Sequence, residues 1–277
     1  MSLDDNNLRV GIIASGQAYQ AAAAWAAATF ARHGLQRNQV SVLVPEQERV
    51  SDSLGSHSSE FGFSLERFPF RPISERKFTS QLKSQAFFFI VSRLKTGELL
   101  LLADADTCCF KTLTLPVDTR AAIRSGKIGL VPDIADHHSQ TPTDPWYLTA
   151  KERLTYVNSG VIFASLGSLE LFRTFRDLSG QDDFLRGPFN DQKIINFALG
   201  KYFSDRLRLL DEVYNQIRQP FPPATIIGHF AGGAGYLAGQ SRKLAHQQTC
   251  SEVLQTARRN QFLAQEYLPA SSGSPRS

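Results

Sequence analysis

Nowhere does this chain run through eighteen or so consecutive apolar residues, the least a membrane-crossing helix needs. The alanine-rich stretch Ala21 to Ala28 is too short to span a bilayer, carries Trp25 in its middle, and reads as part of a packed helix. Cysteine is scarce: Cys108, Cys109 and Cys250 make an odd count, which argues against a disulfide framework, and no spacing resembles a zinc site. Cys108 and Cys109 read as small hydrophobes, and the expected compartment is reducing and cytoplasmic. The opening Met1 to Asn7 is polar and acidic, unlike a secretory signal. No G-x-G-x-x-G occurs, so a nicotinamide or flavin cofactor is not expected. A dense patch of one charge is missing too. Lys plus Arg number 30 against 26 acids, a net +4, and they are scattered. That excludes the basic stripe nucleic acid requires but suits a small anionic ligand.

What is present is a core and an α/β rhythm. Hydrophobic residues make up 42% of the 277, enough for one large domain. Arg9 to Ala14 reads as a strand, Ala18 to His33 as a helix closed by Gly34, and Gln39 to Val44 as a second strand stopped by Pro45, a β–α–β unit. Residues 51–75 look irregular, with short strands and an exposed loop expected there. Arg76 to Leu94 reads as a long helix with Phe78, Leu82, Ala86, Phe89, Ile90 and Leu94 on one face. Further strands are expected over Lys127 to Val131, Tyr156 to Ala164, Arg206 to Leu210 and Thr225 to Phe230, and helices over Ser168 to Leu178 and from Phe189 to Ala198. Prolines and polar residues break up 116–155. The expected organisation is one domain over 8–240, a helical extension over 241–266 and a disordered tail over 267–277.

The segment Glu98 to Thr107 carries most of the chemistry. Four leucines, Leu99 to Leu102, read as a strand buried on both faces, and the run ends in Asp104 and Asp106. Two acids after such a strand are either solvated turn or capping residues, or a pair that shares a hard divalent cation. The carboxyl ends of strands in open α/β sheets are where ligands sit. The polar cluster Asp133 to His138, with adjacent His137 and His138, reads more simply as a solvated loop than as a metal site.

Five segments, in this order, resemble GT-A fold glycosyltransferases, especially the retaining family of glycogenin and bacterial lipopolysaccharide galactosyltransferases. They are Ile12 to Tyr19, Leu101 to Thr107 with its D-x-D, Tyr156 to Val161, Asn190 to Asn196, and Ile226 to Gly232 with His229-Phe230. The resemblance implies an α/β fold of a single GT-A domain, a mixed, mostly parallel sheet flanked by helices. It implies a metal-dependent transfer of a hexose from a UDP-sugar to an unidentified saccharide, lipid-linked saccharide or protein, with retention. Asp104, Asp106 and His229 would bind Mn2+, or Mg2+, and Gly232 would let backbone approach the diphosphate. Ala14 and Gly16 would line the base pocket and Tyr19 would stack on the base, or else pack on the sheet. Lys77 or Lys83 would supply a positive charge. Ala105 and the Asn158, Ser159 and Gly160 run would contact the donor, and Asp191 and Gln192 would face the reacting sugar carbon, with Asn190 or Asp191 as a helix cap. The chain departs from the family where a late lysine is usual, carrying Gly235 instead. Two other readings stay open. One is a non-catalytic nucleotide-sugar binding protein of this fold. The other is a haloacid-dehalogenase-type phosphatase, whose D-x-D-x-T motif Asp104 to Thr107 resembles in part.

Overall fold

The computed structural model describes residues 7–33, 35, 39–138, 141–187, 190–217, 220–231, 245–256 and 258–259. In chain order the strands are β1 (Leu8–Ile13), β2 (Val40–Pro45), β3 (Ser64–Phe68), β4 (Leu99–Ala103), β5 (Thr107–Cys109), β6 (Ile128–Pro132), β7 (Val157–Ser165), β8 (Leu207–Leu209) and β9 (Ile227–His229). The helices are α1 (Gly16–Arg32), α2 (Asp52–Phe61), α3 (Phe78–Val91), α4 (Val117–Arg124), α5 (Leu169–Ser179), α6 (Asp182–Arg186) and α7 (Asp191–Tyr202), followed by α8 over 245–256. Seven strands form one sheet in the order β3-β2-β1-β4-β7-β6-β8, and β5 and β9 form a separate two-stranded ladder. Within the large sheet only β7 runs against its neighbours; the other pairings are parallel. The fold is thus α/β with a mixed, mostly parallel sheet flanked by helices.

The leucine run explains why β4 sits at the centre. Its residues point alternately to opposite faces. Leu99, Leu101 and Ala103 pack with α1, α2 and Ile123 of α4, while Leu100 and Leu102 pack with α3, α5 and α7. Both faces are covered, so every position must be apolar. On the first face the alanines of α1 let its backbone lie close to the sheet, and Ala22, Ala23, Ala24, Ala26, Ala27 and Ala28 are all buried.

The chain turns outward from β1 through β2 to β3, then returns to β4 on the other side of β1. That reversal makes the carboxyl ends of β1 and β4 a switch point, the usual crevice for a ligand in such sheets. Because β7 is reversed, its first residues, not its last, lie at this same edge: Val161 is paired with Ala103 at the end of β4.

Several expectations are corrected. Residues 51–75 hold a regular helix, α2, capped by Ser51, whose hydroxyl accepts from Leu54 N–H, and closed by Gly62 in a left-handed conformation. Its four serines and Gly55 disguise it, because only Leu54 and Phe61 are buried. The stretch 116–155, read as broken, contains α4. On α3 the buried aromatic is Phe87, edge-on to Phe172 of α5, whereas Phe78 is 39% exposed and Phe89 half-buried. The helix faces α5 as well as the sheet, which widens and rotates its apolar stripe. Gly34 and the tail 267–277 lie outside the described residues, and the helical extension is described over 245–256 and 258–259. Among the described residues no helix is long and apolar enough to cross a membrane.

Candidate metal centre

Asp104 to Thr107 forms a tight turn directly after β4. Thr107 donates to the Asp104 carbonyl through both its backbone N–H (3.2 Å) and its hydroxyl (2.8 Å). The Asp104 N–H donates to Gly160 O at 2.8 Å, tying the turn to β7. On the other side the β5–β9 ladder pairs Thr107 with His229, and Phe230 N–H donates to Asp106 O at 2.9 Å. Local sequence thus sets the two carboxylates side by side, and the ladder delivers the imidazole from far downstream.

The result is one cluster. His229 Nε2 lies 3.4 Å from Asp106 Oδ1 and 3.8 Å from Asp104 Oδ2. Each of Asp104, Asp106 and His229 offers a ligand atom, and these atoms all lie within 4.8 Å of one another. Gly160 is what allows the approach. A Cβ there would fall 2.0 Å from His229 Cε1, so the ring occupies the space a side chain would take. His229 Nδ1 is 3.0 Å from Asn215 Oδ1, and Asn215 Nδ2 donates to Asn158 Oδ1 at 2.8 Å.

Of the two candidate lysines, Lys83 is the one that reaches the cluster. It rises from α3 into the cluster and places Nζ 2.7 Å from Asp104 Oδ1, 2.7 Å from Asp191 Oδ2 and 3.4 Å from Ser159 Oγ. Lys77 instead caps the start of α3, in a left-handed backbone conformation (φ 55°). Asp191, in the first turn of α7, also accepts from Ser159 Oγ at 2.9 Å. Asn190 is the cap of that helix, its side chain accepting from Lys193 N–H at 3.0 Å.

Charge coupling runs through all of these groups. Burial works against the Lys83 charge, but Asp104 and Asp191 outweigh it and hold the ammonium above the ordinary lysine range. Burial would raise Asp191, yet Lys83 holds it below the usual carboxylate value. Burial likewise opposes Asp106, and His229 nevertheless brings it down to about 2. His229 itself is raised, because Asp106 and Asp104 overcome its desolvation. Asp104 is raised by burial, with the neighbouring carboxylates adding to the shift against Lys83 and His229.

These residues fit a divalent cation. The Lys83 ammonium pairs with Asp104 and Asp191, while Asp106 faces only the His229 ring, so with a neutral imidazole three carboxylates share a single fixed positive charge and a cation would offset the excess. Two carboxylates plus an imidazole form a donor set that could hold a metal ion. The adjacent histidines do not join a second such group. His138 Nε2 is 3.1 Å from the Leu154 carbonyl, His137 packs edge-on to Tyr156, and among the described residues only the Asp104, Asp106, His229 set converges.

Beside the cluster opens a cavity of about 240 Å3, lined by Ser15, Tyr19, Phe78, Lys83, Asp104, Ala105, Asp106 and Asp191. Tyr19 is half exposed on one side of it, and Phe78, which carries no ligand signal in its local sequence, adds a second aromatic surface. Ala14 is buried, its N–H spent on Leu43 O at 3.0 Å. Gly16, at φ 74°, donates its N–H to Glu48 Oε2 at 2.7 Å. Glu48 also accepts from the Ser15 hydroxyl, so a carboxylate already occupies the start of α1. Gln192 is spent on Ser159 N–H at 3.2 Å and on Asp133, and Asn158 is committed to Asn215 and to Gly160 N–H at 2.8 Å. Gly232 lies outside the described residues.

Sequence reasoning missed Glu48 and Asn215, and it read Asp133, which accepts from Gln192, as part of a solvated loop. Asn215 had no signal to find: it follows a single 3-10 turn over Glu212–Tyr214 in a segment without periodicity. Glu48 is one of several polar residues after β2, and its role appears only when α1 is seen to start opposite it. Compared with known proteins, the chain matches no family model and no curated protein sequence.

Proposed function

We infer that this chain is a metal-dependent glycosyltransferase that moves a hexose from a UDP-sugar to a saccharide, lipid-linked saccharide or protein acceptor, with retention. The observation that carries this reading is the convergence of Asp104, Asp106 and His229 on a common ligand position beside a cavity at the sheet's switch point. Support also comes from assembly. The five segments that resemble the GT-A retaining family each send residues to one edge of the sheet: Ser15 and Tyr19, Asp104 and Asp106, Ser159, Asp191, and His229.

A divalent cation on the two aspartates and the imidazole would hold both phosphates and offset the charge that develops on the leaving diphosphate. Lys83 keeps Asp191 ionised in the lining of the cavity. An ionised carboxylate there stabilises positive character on the anomeric carbon, as in glycoside hydrolysis. Ser159 fixes the direction of that carboxylate with its hydroxyl. Tyr19 and Phe78 offer aromatic surfaces for the uracil ring.

Calorimetric titration with UDP, with and without Mn2+, tests the reading. UDP binding is expected to strengthen with Mn2+, and Asp106→Ala is expected to abolish the enhancement while leaving the fold intact. UDP binding indifferent to Mn2+ would contradict it. A second reading, a binding protein without turnover, is favoured by Gly235 standing where the family carries a lysine. Mn2+-dependent binding without release of UDP from any UDP-hexose would select it.

A further inference from the structure

The ring of His229 is held by a chain of hydrogen bonds whose direction is set at its far end. Gly160 N–H donates to Asn158 Oδ1 at 2.8 Å. A backbone N–H can only donate, so the Asn158 atom facing it is the oxygen. That same oxygen faces Asn215 at 2.8 Å, which must therefore present its NH2 group. The other end of the Asn215 amide is then its oxygen, 3.0 Å from His229 Nδ1. An oxygen there accepts, so Nδ1 carries the hydrogen. Nε2, the atom facing Asp104 and Asp106, is left with its lone pair whenever the ring is neutral. Asn158, Asn215 and His229 are all buried, so water does not compete for these bonds. The Asn215 backbone is anchored too, donating its N–H to Glu212 O at 3.0 Å.

We propose that Asn215 and Asn158 are positioning residues for the metal centre: together they fix His229 in the tautomer that aims an unprotonated Nε2 at the cation. The proposal rests on the metal reading above. It moves Asn158 from contact with the donor sugar to support of the imidazole. Partners of this kind, bonded to the far nitrogen of a ligating histidine, orient the ring and raise its affinity for the ion.

The test combines a spectrum with a titration. In protein labelled with 15N at histidine and held at a pH where His229 is neutral, its Nδ1 is expected to be the protonated nitrogen. Asn215→Ala is expected to return the ring to a mixture of tautomers and to weaken Mn2+ binding by calorimetry about 10- to 100-fold. Asn158→Asp keeps an acceptor for both Gly160 N–H and the Asn215 amide, so it is expected to retain the wild-type tautomer. Asn158→Ala is expected to lose it. A wild-type ring protonated mainly at Nε2 overturns the proposal with no substitution needed, and so does wild-type Mn2+ affinity in a folded Asn215→Ala protein. Absence of Mn2+ binding in the wild type would sink the metal reading instead, while the tautomer spectrum would still decide whether the two asparagines set the ring.

Discussion

Gly160→Ala is the sharpest perturbation the structure offers, because a single methyl group would meet the imidazole and nothing else so closely. The added carbon would sit 2.0 Å from His229 Cε1, 2.4 Å from Nδ1 and 2.8 Å from Nε2. An ordinary carbon–carbon contact is about 3.5 Å, so the ring must retreat by about 1.5 Å. Asn215 Oδ1 lies 3.0 Å from Nδ1, so a ring that shifts must also strain or give up that hydrogen bond. Metal-ligand distances tolerate only about 0.2 Å, so the imidazole would be lost to the ion. Overpacking of this kind costs about 1–3 kcal/mol, and at about 2–4 °C per kcal/mol the Tm should fall by several degrees. Mn2+ affinity, read by calorimetry or by the electron paramagnetic resonance of free Mn2+, should fall by at least about 100-fold, the upper end of what losing a supporting group costs. The glycine lies in a strand at ordinary backbone angles, so the substitution carries no penalty from positive φ. An alanine variant that melts with the wild type and binds Mn2+ equally well would refute the account of the site.

Three further outcomes are expected. Lys83→Met strips two carboxylates of their common counter-ion and should destabilise the fold by about 3 kcal/mol, seen as an earlier urea midpoint; an unchanged midpoint would show that the lysine is not what balances Asp104 and Asp191. The raised pKa of His229 means that the folded chain keeps a proton above pH 6.5, where the unfolded imidazole has released it. Its contribution to stability is therefore full below 6.5 and lost as pH climbs through the folded value, so metal-free protein should melt progressively lower on that climb, and a variant lacking the imidazole should not show this component. Cys108, Cys109 and Cys250 are buried, and burial pushes the Cys109 and Cys250 thiols up, so native protein should resist a thiol reagent that labels all three in urea; labelling of the native protein at the denatured rate would contradict their packing.

The parts of the fold that sequence revealed are those in which one element states its own environment. Leu99 to Leu102 are apolar on both faces because both faces are covered, and the acids that follow mark where cover ends. The opening β–α–β unit is equally self-declaring. Helix α2 is not, since serines dominate it and two residues suffice to anchor it. Within the site, Asp104, Asp106 and His229 are legible as residue types of the right chemistry, but sequence spacing says nothing about a ladder that pairs Thr107 with His229. Lys83 could be told from Lys77 only by which turn of α3 faces the sheet edge. Asn215 and Glu48 act through partners distant in the chain, and nothing beside them in sequence announces it.

That ladder has a consequence for synthesis. The acidic pair, just ahead of β5, leaves the ribosome more than a hundred residues before the imidazole that the ladder brings beside it. Until Ile227 to His229 has been made and has docked against Thr107 to Cys109, the nascent chain has the two aspartates on their turn but only two of the three side chains of the cluster. A fragment cut before Ile227 keeps both carboxylates and all seven strands of the large sheet, the leucine strand among them, yet loses the imidazole that completes the cluster.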